Sequence, residues 1–250
     1  MKKLSALVIA VYLLLLTVMG CGGGRHPSML DAGIMAGKCL KEPLTRNRYF
    51  TGQMLTADDL QNEQSYLQEK HRNHNRFLHG TGVVCGLVVK AAPQKSRSVV
   101  VSPGLAIDCS GRDILVPVGQ TISLDGYSGD VYLTVRYKET LTGSSPVLGQ
   151  TQGMEYNKVS ESFKFEALMA LPEDYVSTYD ILKNSDDEDI LIHIFQNHLS
   201  CCTGDEDMPV ILAKIHIRGS GQLEDRDIDN VRFRKLILNS SDIALSLAKD

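Results

Sequence analysis

The fold is decided by the stretch RYFTGQMLTADDLQNEQSYLQEKHRNHNRFLHGTGVVCGL, which covers residues 48–87. Its first half carries a helix start, because Thr56 can cap the helix and two aspartates follow in the first turn, where the helix dipole favours negative charge. The pattern predicts a helix of about 22 residues that runs to Leu78. Gly80 lies just beyond it and is suited to a left-handed C-cap.

One face of this predicted helix is only moderately apolar. It carries Leu60, Gln64, Leu67, His71, His74 and Leu78. A helix with so mixed a face must pack on something else, either a sheet or a copy of itself.

After Gly82 the chain changes to short β-branched runs separated by Gly, Pro, Asp and Ser, which predict strands. The predicted strands cover residues 83–90, 98–101, 105–108, 113–116, 120–124, 130–138, 163–171, 191–195 and 210–217. Strands this short and closely spaced are typical of an antiparallel sandwich or a barrel-like body. We expect long surface loops at 139–160 and 173–189.

The predicted fold class is therefore α+β. One long N-terminal helix is expected to pack on a β-rich antiparallel sandwich or barrel-like body, with short helices at the C-terminus. The predicted organisation is a signal peptide (1–20), a lipid-anchored flexible tether (21–45), a helical segment (46–82), a β-rich domain (83–238) and a C-terminal tail or short helix (239–250).

The N-terminus, MKKLSALVIAVYLLLLTVMGC, has the layout of a secretory signal, with two lysines before an apolar run and a small residue before Cys21. Its ending, Val18–Cys21, resembles a bacterial lipobox, which implies cleavage after Gly20 and lipidation of Cys21. The alternative is an uncleaved membrane helix, but the apolar run of about 16 residues is shorter than the ~20 that span a bilayer comfortably. We expect a membrane-anchored lipoprotein outside the cytoplasm. An aspartate directly after the lipidated cysteine resembles an inner-membrane retention signal. This chain has Gly22 at that position, which favours the outer membrane.

Composition bounds the class of partner. Apolar residues make up 43% and charged residues 22% of the 250 residues, a balance typical of a globular protein. The net charge is −4 and the sequence has no basic tract, so we expect no nucleic-acid partner.

The histidine-rich segment admits three interpretations: structural, metal-binding and catalytic. His71, His74, His79 and Cys85 offer three nitrogen donors and a sulfur, which can bind zinc, although their spacing matches no familiar zinc signature. The favoured interpretation is structural: His74, Asn75 and His79 hydrogen-bond the helix end to the first strand. The sequence has no nucleophile elbow and no phosphate-binding loop, so we predict no catalytic residue, no cofactor and no enzymatic activity.

The cysteines leave their pairing open. Beyond Cys21 there are five, an odd number, and spacing alone does not assign partners. Cys85 and Cys109 both lie in strand-like runs, which makes them a candidate disulfide.

Four segments carry a resemblance to a known family: RYFTGQMLTADDL, HNRFLHGTGVVCGL, VSPGLAIDCSGRDILVP, and PVILAKI followed by IDNVRFRKL. They fall in one order across residues 46–238 and resemble a widespread, mostly uncharacterised bacterial family with phage-baseplate-like or contractile-injection-like structural modules. The resemblance implies a structural component without enzymatic activity. A lipobox departs from this pattern, and so does the turn at 108–111, which puts a family-wide pairing of Cys85 with Cys109 in doubt.

These observations lead to a hypothesis of a non-enzymatic, lipid-anchored structural, assembly or protein-binding module, linked in style to phage-tail-like particles. Its partners are expected to be the membrane, through the lipid, and proteins or further copies of itself. The residues expected at the junction between helix and body are Tyr49, Phe50, Gln53, Asn75, Arg76, His79 and Gly80. The alternatives are a small-ligand or glycan-binding lipoprotein that uses the loops 139–160 and 173–189, and a metal-binding envelope enzyme that uses His71, His74 and His79.

Overall fold

The computed structural model describes residues 43–93, 97–148, 153–172, 175, 179, 208–219 and 222–237, all of which fall in the unit Met35–Asp250. The predicted signal peptide, Cys21, nearly all of the tether, the strand at 191–195 and the tail at 239–250 lie outside the described residues. Described elements are one α-helix, α1 (Ala57–His74), a π-helical turn (Asn75–His79) and a 3-10 turn (Asp225–Asp227). The described strands are β1 (Gly82–Gly86), β2 (Val89–Ala91), β3 (Ser98–Val101), β4 (Gly104–Ile107), β5 (Asp113–Val116), β6 (Gln120–Ser123), β7 (Gly129–Thr142), β8 (Ser145–Pro146), β9 (Met154–Glu155), β10 (Lys158–Leu168), β11 (Val210–Ile217) and β12 (Ile228–Asp229).

These strands form three main sheets and one small one, and the pairs within them are antiparallel. The strand orders are β1-β4-β5, β2-β3-β6, β10-β7-β11-β12 and β8-β9. All three main sheets bury side chains in one hydrophobic core. The strand predicted at 130–138 is confirmed as part of β7, in which Val131, Leu133 and Val135 are fully buried in that core.

The predicted fold class is wrong in two respects. The described part of the chain is mostly β-sheet, and α1 is an 18-residue element that begins at residue 57 and contains no buried residue, so it is not a long N-terminal helix that packs along the body. The described sheets are open and do not close into a barrel. The physical reason for the helix's exposure is its mixed face, which offers only Leu60 and Leu67 to a core.

Two predicted irregular or helical regions also turn out differently. Residues 139–160, expected as a loop, contain the extension of β7, the β8-β9 pair and the start of β10, which form a two-stranded ribbon. The ribbon was missed because its side chains are mostly exposed on both faces, so no apolar alternation marks it. Where short C-terminal helices were expected, the described residues have the 3-10 turn followed by β12. Within the described chain, no helix has the length and apolarity needed to cross a bilayer.

Local strand predictions hold where the sequence pattern is strong. The strands at 98–101, 113–116 and 210–217 occur with the predicted bounds. The predicted strand at 83–90 is broken in two, because Gly86 and Leu87 have φ values of 63° and 52° and turn the chain between β1 and β2. A left-handed backbone is costly for a leucine, so the surrounding structure must hold this bend in place.

A buried arginine holds that bend. The Arg234 side chain is 5% exposed, and its guanidinium donates hydrogen bonds to the carbonyls of Gly86 (3.1 Å) and Leu87. Its Nε donates to the carbonyl of Leu212 (2.9 Å), which lies where the β7-β11 register shifts. Burial lowers the pKa of Arg234 to about 10, so the guanidinium stays charged at neutral pH.

Asn230 completes this arrangement. Its side-chain oxygen accepts a hydrogen bond from the Val89 amide (2.9 Å) and its side-chain nitrogen donates to the Val89 carbonyl (2.9 Å). One amide side chain therefore pairs with β2 as a neighbouring strand would. The same oxygen lies 3.3 Å from Arg234, so the two side chains act as one unit between β2 and the C-terminal segment.

We predict that Arg234→Met lowers the free energy of unfolding by at least about 2 kcal/mol, because the buried carbonyls of Leu87 and Leu212 each lose a donor worth ~1–3 kcal/mol. Urea unfolding of the full chain in mild detergent, followed by circular dichroism, measures this. Arg232→Met is the matched control: its side chain is 66% exposed, and the expected loss stays within about 1 kcal/mol. Equal losses for the two variants would contradict the role of Arg234.

Candidate interaction site around the helix

The N-terminal end of α1 is closed by a capping box. Thr56 Oγ1 accepts a hydrogen bond from the Asp59 amide (3.2 Å), and the Asp59 carboxylate accepts one from the Thr56 amide (2.9 Å). The predicted cap at Thr56 is confirmed. The backbone hydrogen bond from Thr56, followed by that from its hydroxyl, holds the pKa of Asp59 below its ordinary value.

The three residues predicted before the helix lie in a tight turn at its start. The Gln53 amide donates to the Phe50 carbonyl (3.2 Å), and the Phe50 amide donates to the Gln53 side chain (3.4 Å). The Tyr49 hydroxyl lies 3.4 Å from the Glu63 carboxylate on α1. This turn leaves Phe50 and Met54 exposed, so the segment adds apolar surface beside the helix.

At the other end of α1, Asn75 joins the helix to the body. It is buried, and its amide donates to the Gly111 carbonyl (3.0 Å) and to the Asp113 carboxylate (2.9 Å). His71, one turn earlier, places Nε2 3.0 Å from the other Asp113 oxygen. Asn75 was predicted as a junction residue, but its partner is the β4-β5 turn and not the first strand.

Gly111 allows the β4-β5 turn to approach the helix this closely. It has a φ of 82°, and a Cβ placed on it would overlap the Arg72 carbonyl. The turn is held from inside by Asp108, whose carboxylate accepts hydrogen bonds from the Ser110 and Arg112 amides (2.9 Å each). Burial raises the pKa of Asp108 despite its ion pair with Arg112.

A side chain of the β4-β5 turn also contacts the long strand β7. The Arg112 guanidinium stacks over the Tyr137 ring at 4.9 Å, and the Tyr137 hydroxyl donates to Glu139 (2.9 Å). Glu139 also lies 4.0 Å from Arg72 on α1. Burial, together with the nearby carboxylates, raises the pKa of Tyr137, so its hydroxyl remains a donor at neutral pH.

The remaining predicted junction residues lie in the π-helical turn. Arg76 donates to Asn73 (2.8 Å) and stacks on the neighbouring Phe77 ring at 4.8 Å. Gly80, with a φ of 78°, donates its amide to the Asn75 carbonyl (3.0 Å) and ends the turn. The His74 and His79 rings meet edge to face at 5.3 Å, so these residues mainly shape the end of the helix.

The four residues weighed as zinc ligands are not gathered around one point. His71 faces Asp113, His74 packs on His79, and Cys85 lies exposed on β1. The described residues contain no group of three or more His, Cys, Asp or Glu side chains that is placed to hold a metal.

The candidate disulfide is not formed. Cys85 and Cys109 are both free thiols, the first exposed and the second buried. In the β1-β4 ladder Cys85 lies opposite Leu105, whereas Cys109 follows Ile107, which pairs with Gly82 at the other end. Strand-like surroundings alone therefore misled the prediction. Burial raises the pKa of the Cys109 thiol, which keeps it in its unreactive protonated form.

A charged pocket of about 350 Å³ lies at the edge of the β10-β7-β11-β12 sheet and was not predicted. Asp130 accepts hydrogen bonds there from Lys214 and His216 (2.7 Å each), and these hold the pKa of Asp130 below its ordinary value. The buried Asp227 carboxylate pairs with Arg218 (2.6 Å). The pocket is lined by Asp130, Lys214, His216, Arg218, Arg226, Asp227 and Asp229, and each of its cations already has an acidic partner in the described chain.

Sequence reasoning also missed Arg234 and Asn230, although both lie in the quoted segment IDNVRFRKL. The available signal was a polar pair, four residues apart, close to the buried run of β11. Their partners are backbone carbonyls and amides, which no residue type marks in a sequence.

Comparisons with known proteins give the following. No model of a protein family matches the chain, and no curated protein matches it in sequence. Solved structures similar to this chain include a chain of the type VI secretion system TssK–TssF–TssG baseplate subcomplex (9% identity, TM-score 0.40), TssK in a crystal structure (9%, 0.37) and a chain of the type VI secretion system baseplate complex (8%, 0.36). The similarities cover 72%, 73% and 72% of this chain.

The chain spans 59%, 40% and 57% of the length of those three chains, less than two-thirds in each case. With TM-scores of 0.40 and below, the likeness is partial and concerns architecture alone.

We predict that Gly111→Ala destabilises the protein by at least about 1 kcal/mol more than Gly126→Ala, measured by urea unfolding. Both glycines have left-handed φ values, 82° and 87°, which make alanine costly by ~1 kcal/mol at either position. Only Gly111 faces a close neighbour, since nothing lies within 4 Å of a Cβ at Gly126. Equal losses would show that the helix end does not pack on this turn.

Proposed function

We propose that this protein is a non-enzymatic, lipid-anchored envelope protein that acts as an assembly module, whose β-rich body holds one helix out for a protein partner. The observation that carries the proposal is α1, in which none of eighteen residues is buried. Leu60 and Leu67 on its surface are 56% and 58% exposed. Exposed apolar side chains grouped on one element are typical of a protein-binding surface.

The stability of α1 supports the same conclusion. An isolated helix of this length is marginal in water, and most helices in proteins are stabilised by packing an apolar face. The capping box and the contacts of His71 and Asn75 hold the two ends of α1. Its middle turns expose their leucines, so a partner that covers them stabilises the helix.

The polar groups at the base of the helix support a structural role. The imidazole of His71 is engaged by Asp113, and the rings of His74 and His79 pack on each other. These contacts engage the three histidine side chains that were the strongest candidates for metal binding or catalysis. The resemblance of the sequence segments to structural modules of phage-tail-like particles agrees with this assignment, and the lipobox-like Val18–Cys21 supports an anchor in the envelope.

A photo-crosslinking amino acid at Leu67 of the full-length protein tests the proposal in living cells. We expect ultraviolet light to give protein adducts in the membrane fraction, because a partner lies on this face of α1. Val118, which is exposed on the β-body, is the matched position, where adducts are expected to be at least ~5-fold weaker. Equal yields at both positions, or none at either, would contradict an assembly role for α1.

The lipid anchor is tested in the same cells with Cys21→Ser. This change removes the acceptor thiol, so we expect the protein to leave the membrane fraction and to lose incorporation of labelled palmitate. Cys85→Ser is the control and is expected to retain both. Unchanged membrane association of the Cys21 variant would remove the anchor from the proposal and leave the crosslinking result to judge the assembly role.

A further inference from the structure

The exposed face of α1 has the spacing of a coiled-coil seam. Leu60, Gln64, Leu67, His71 and His74 follow one another at intervals of four, three, four and three residues, and all five are exposed. This is a period of 3.5, the repeat with which two helices pack side by side.

Within the described part of the chain, the seam residues stay exposed. The segment before the helix contacts α1 beside the seam, where Asn47 donates to the Asp59 carbonyl and the Tyr49 hydroxyl lies 3.4 Å from Glu63. His71 contacts the body through Asp113, yet 61% of its side chain is exposed. A second helix can therefore lie along the exposed side chains from Leu60 to His71 without displacing the joint at Asn75.

Charge along α1 selects the direction of such a partner. The first half carries Asp58, Asp59 and Glu63, whereas the second half and its continuation carry one acid, Glu69, and three bases, Lys70, Arg72 and Arg76. Two parallel copies would place acid beside acid and base beside base. Two antiparallel copies place the acidic half of each helix against the basic half of the other. Their helix dipoles then point in opposite directions, which also favours this arrangement.

We infer that α1 binds α1 of a second copy of this chain as an antiparallel pair, an inference that names the partner of the assembly module proposed above. In one alignment of the two helices, the seam residues face each other and opposite charges are also paired. When Leu60 lies against His71 of the second copy, Gln64 lies against its Leu67, and Glu63 flanks its Lys70. The two-fold axis repeats each contact, so the interface contains two Glu63–Lys70 pairs.

The length and composition of the seam determine how tightly the two copies bind. Eighteen residues give a helix of about 27 Å, which holds two to three heptads. Only two leucines per copy enter the seam, and each layer places a leucine against Gln64 or His71. The pair is therefore weak and reversible, and it forms at high local concentration, such as that of molecules confined to one membrane.

Charge reversal and its rescue test the inference. Sedimentation equilibrium of the full chain in mild detergent, over ~1 to ~100 μM, is expected to show a reversible dimer. Glu63→Lys and Lys70→Glu each place like charges in contact and are expected to raise the dimer Kd at least ~10-fold. The double variant Glu63→Lys/Lys70→Glu restores opposite charges and is expected to return the Kd to within ~3-fold of wild type.

The controls are charge reversals at exposed positions away from the seam, Glu155→Lys and Lys90→Glu, which are expected to leave the Kd unchanged. Circular dichroism checks that each variant keeps its helix. Three results would overturn the inference: a wild-type monomer across the range, single reversals without effect, or a double variant that fails to recover. A wild-type monomer combined with adducts to another protein at Leu67 would reject self-pairing and leave the proposed assembly role standing.

Discussion

The body of this protein depends on one buried guanidinium. The chain bends at Gly86 and Leu87 to pass from β1 to β2, and the β7-β11 register shifts at Leu212. The carbonyls of Gly86, Leu87 and Leu212 lie at these irregularities, and a buried carbonyl without a donor costs ~1–3 kcal/mol. Arg234 reaches all three carbonyls from a third place in the chain. A planar group with five donors suits this task, whereas a lysine ammonium is too compact to span the three sites.

The same region closes the fold across a long sequence separation. Val83 donates its amide to the Lys235 carbonyl (2.8 Å) and accepts a hydrogen bond from the Ile237 amide (3.0 Å), so the C-terminal segment runs beside β1. A Cβ at Gly82 would overlap the Lys235 carbonyl, which explains the glycine there. Because β1 also pairs with β4, and the β4-β5 turn receives Asn75, the position of the helix follows from the packing of the body. The helix is thus presented from a fixed base while most of its surface stays open.

Local features were predictable from the sequence, and long-range ones were not. The Thr56 cap and the strands at 98–101, 113–116 and 210–217 follow from neighbouring residues, so their patterns are visible in the sequence. Asn75 was recognised as a junction residue, but its partner lies 36 residues away on a turn, and spacing gave no means of choosing it. Arg234 binds the carbonyl of Gly86, 148 positions away. Every residue has a backbone carbonyl, so no residue type in the sequence marks this partner. The ribbon beyond residue 138 was not predicted for a different reason. Its side chains are exposed on both faces, so the sequence lacks the apolar alternation that marks a strand.

Native-state hydrogen exchange tests most directly whether Arg234 joins the C-terminal segment, β1 and β11 into one cooperative unit. The informative amides are those of Val83, Leu87 and Ile237, whose acceptors are the carbonyls of Lys235, Pro103 and Val83. If the account is right, these amides exchange only through global unfolding, with the same free energy as the buried amides of the β7-β11 ladder. Exchange of the three at a free energy lower by about 2 kcal/mol or more would show that this segment opens by itself and would contradict the account.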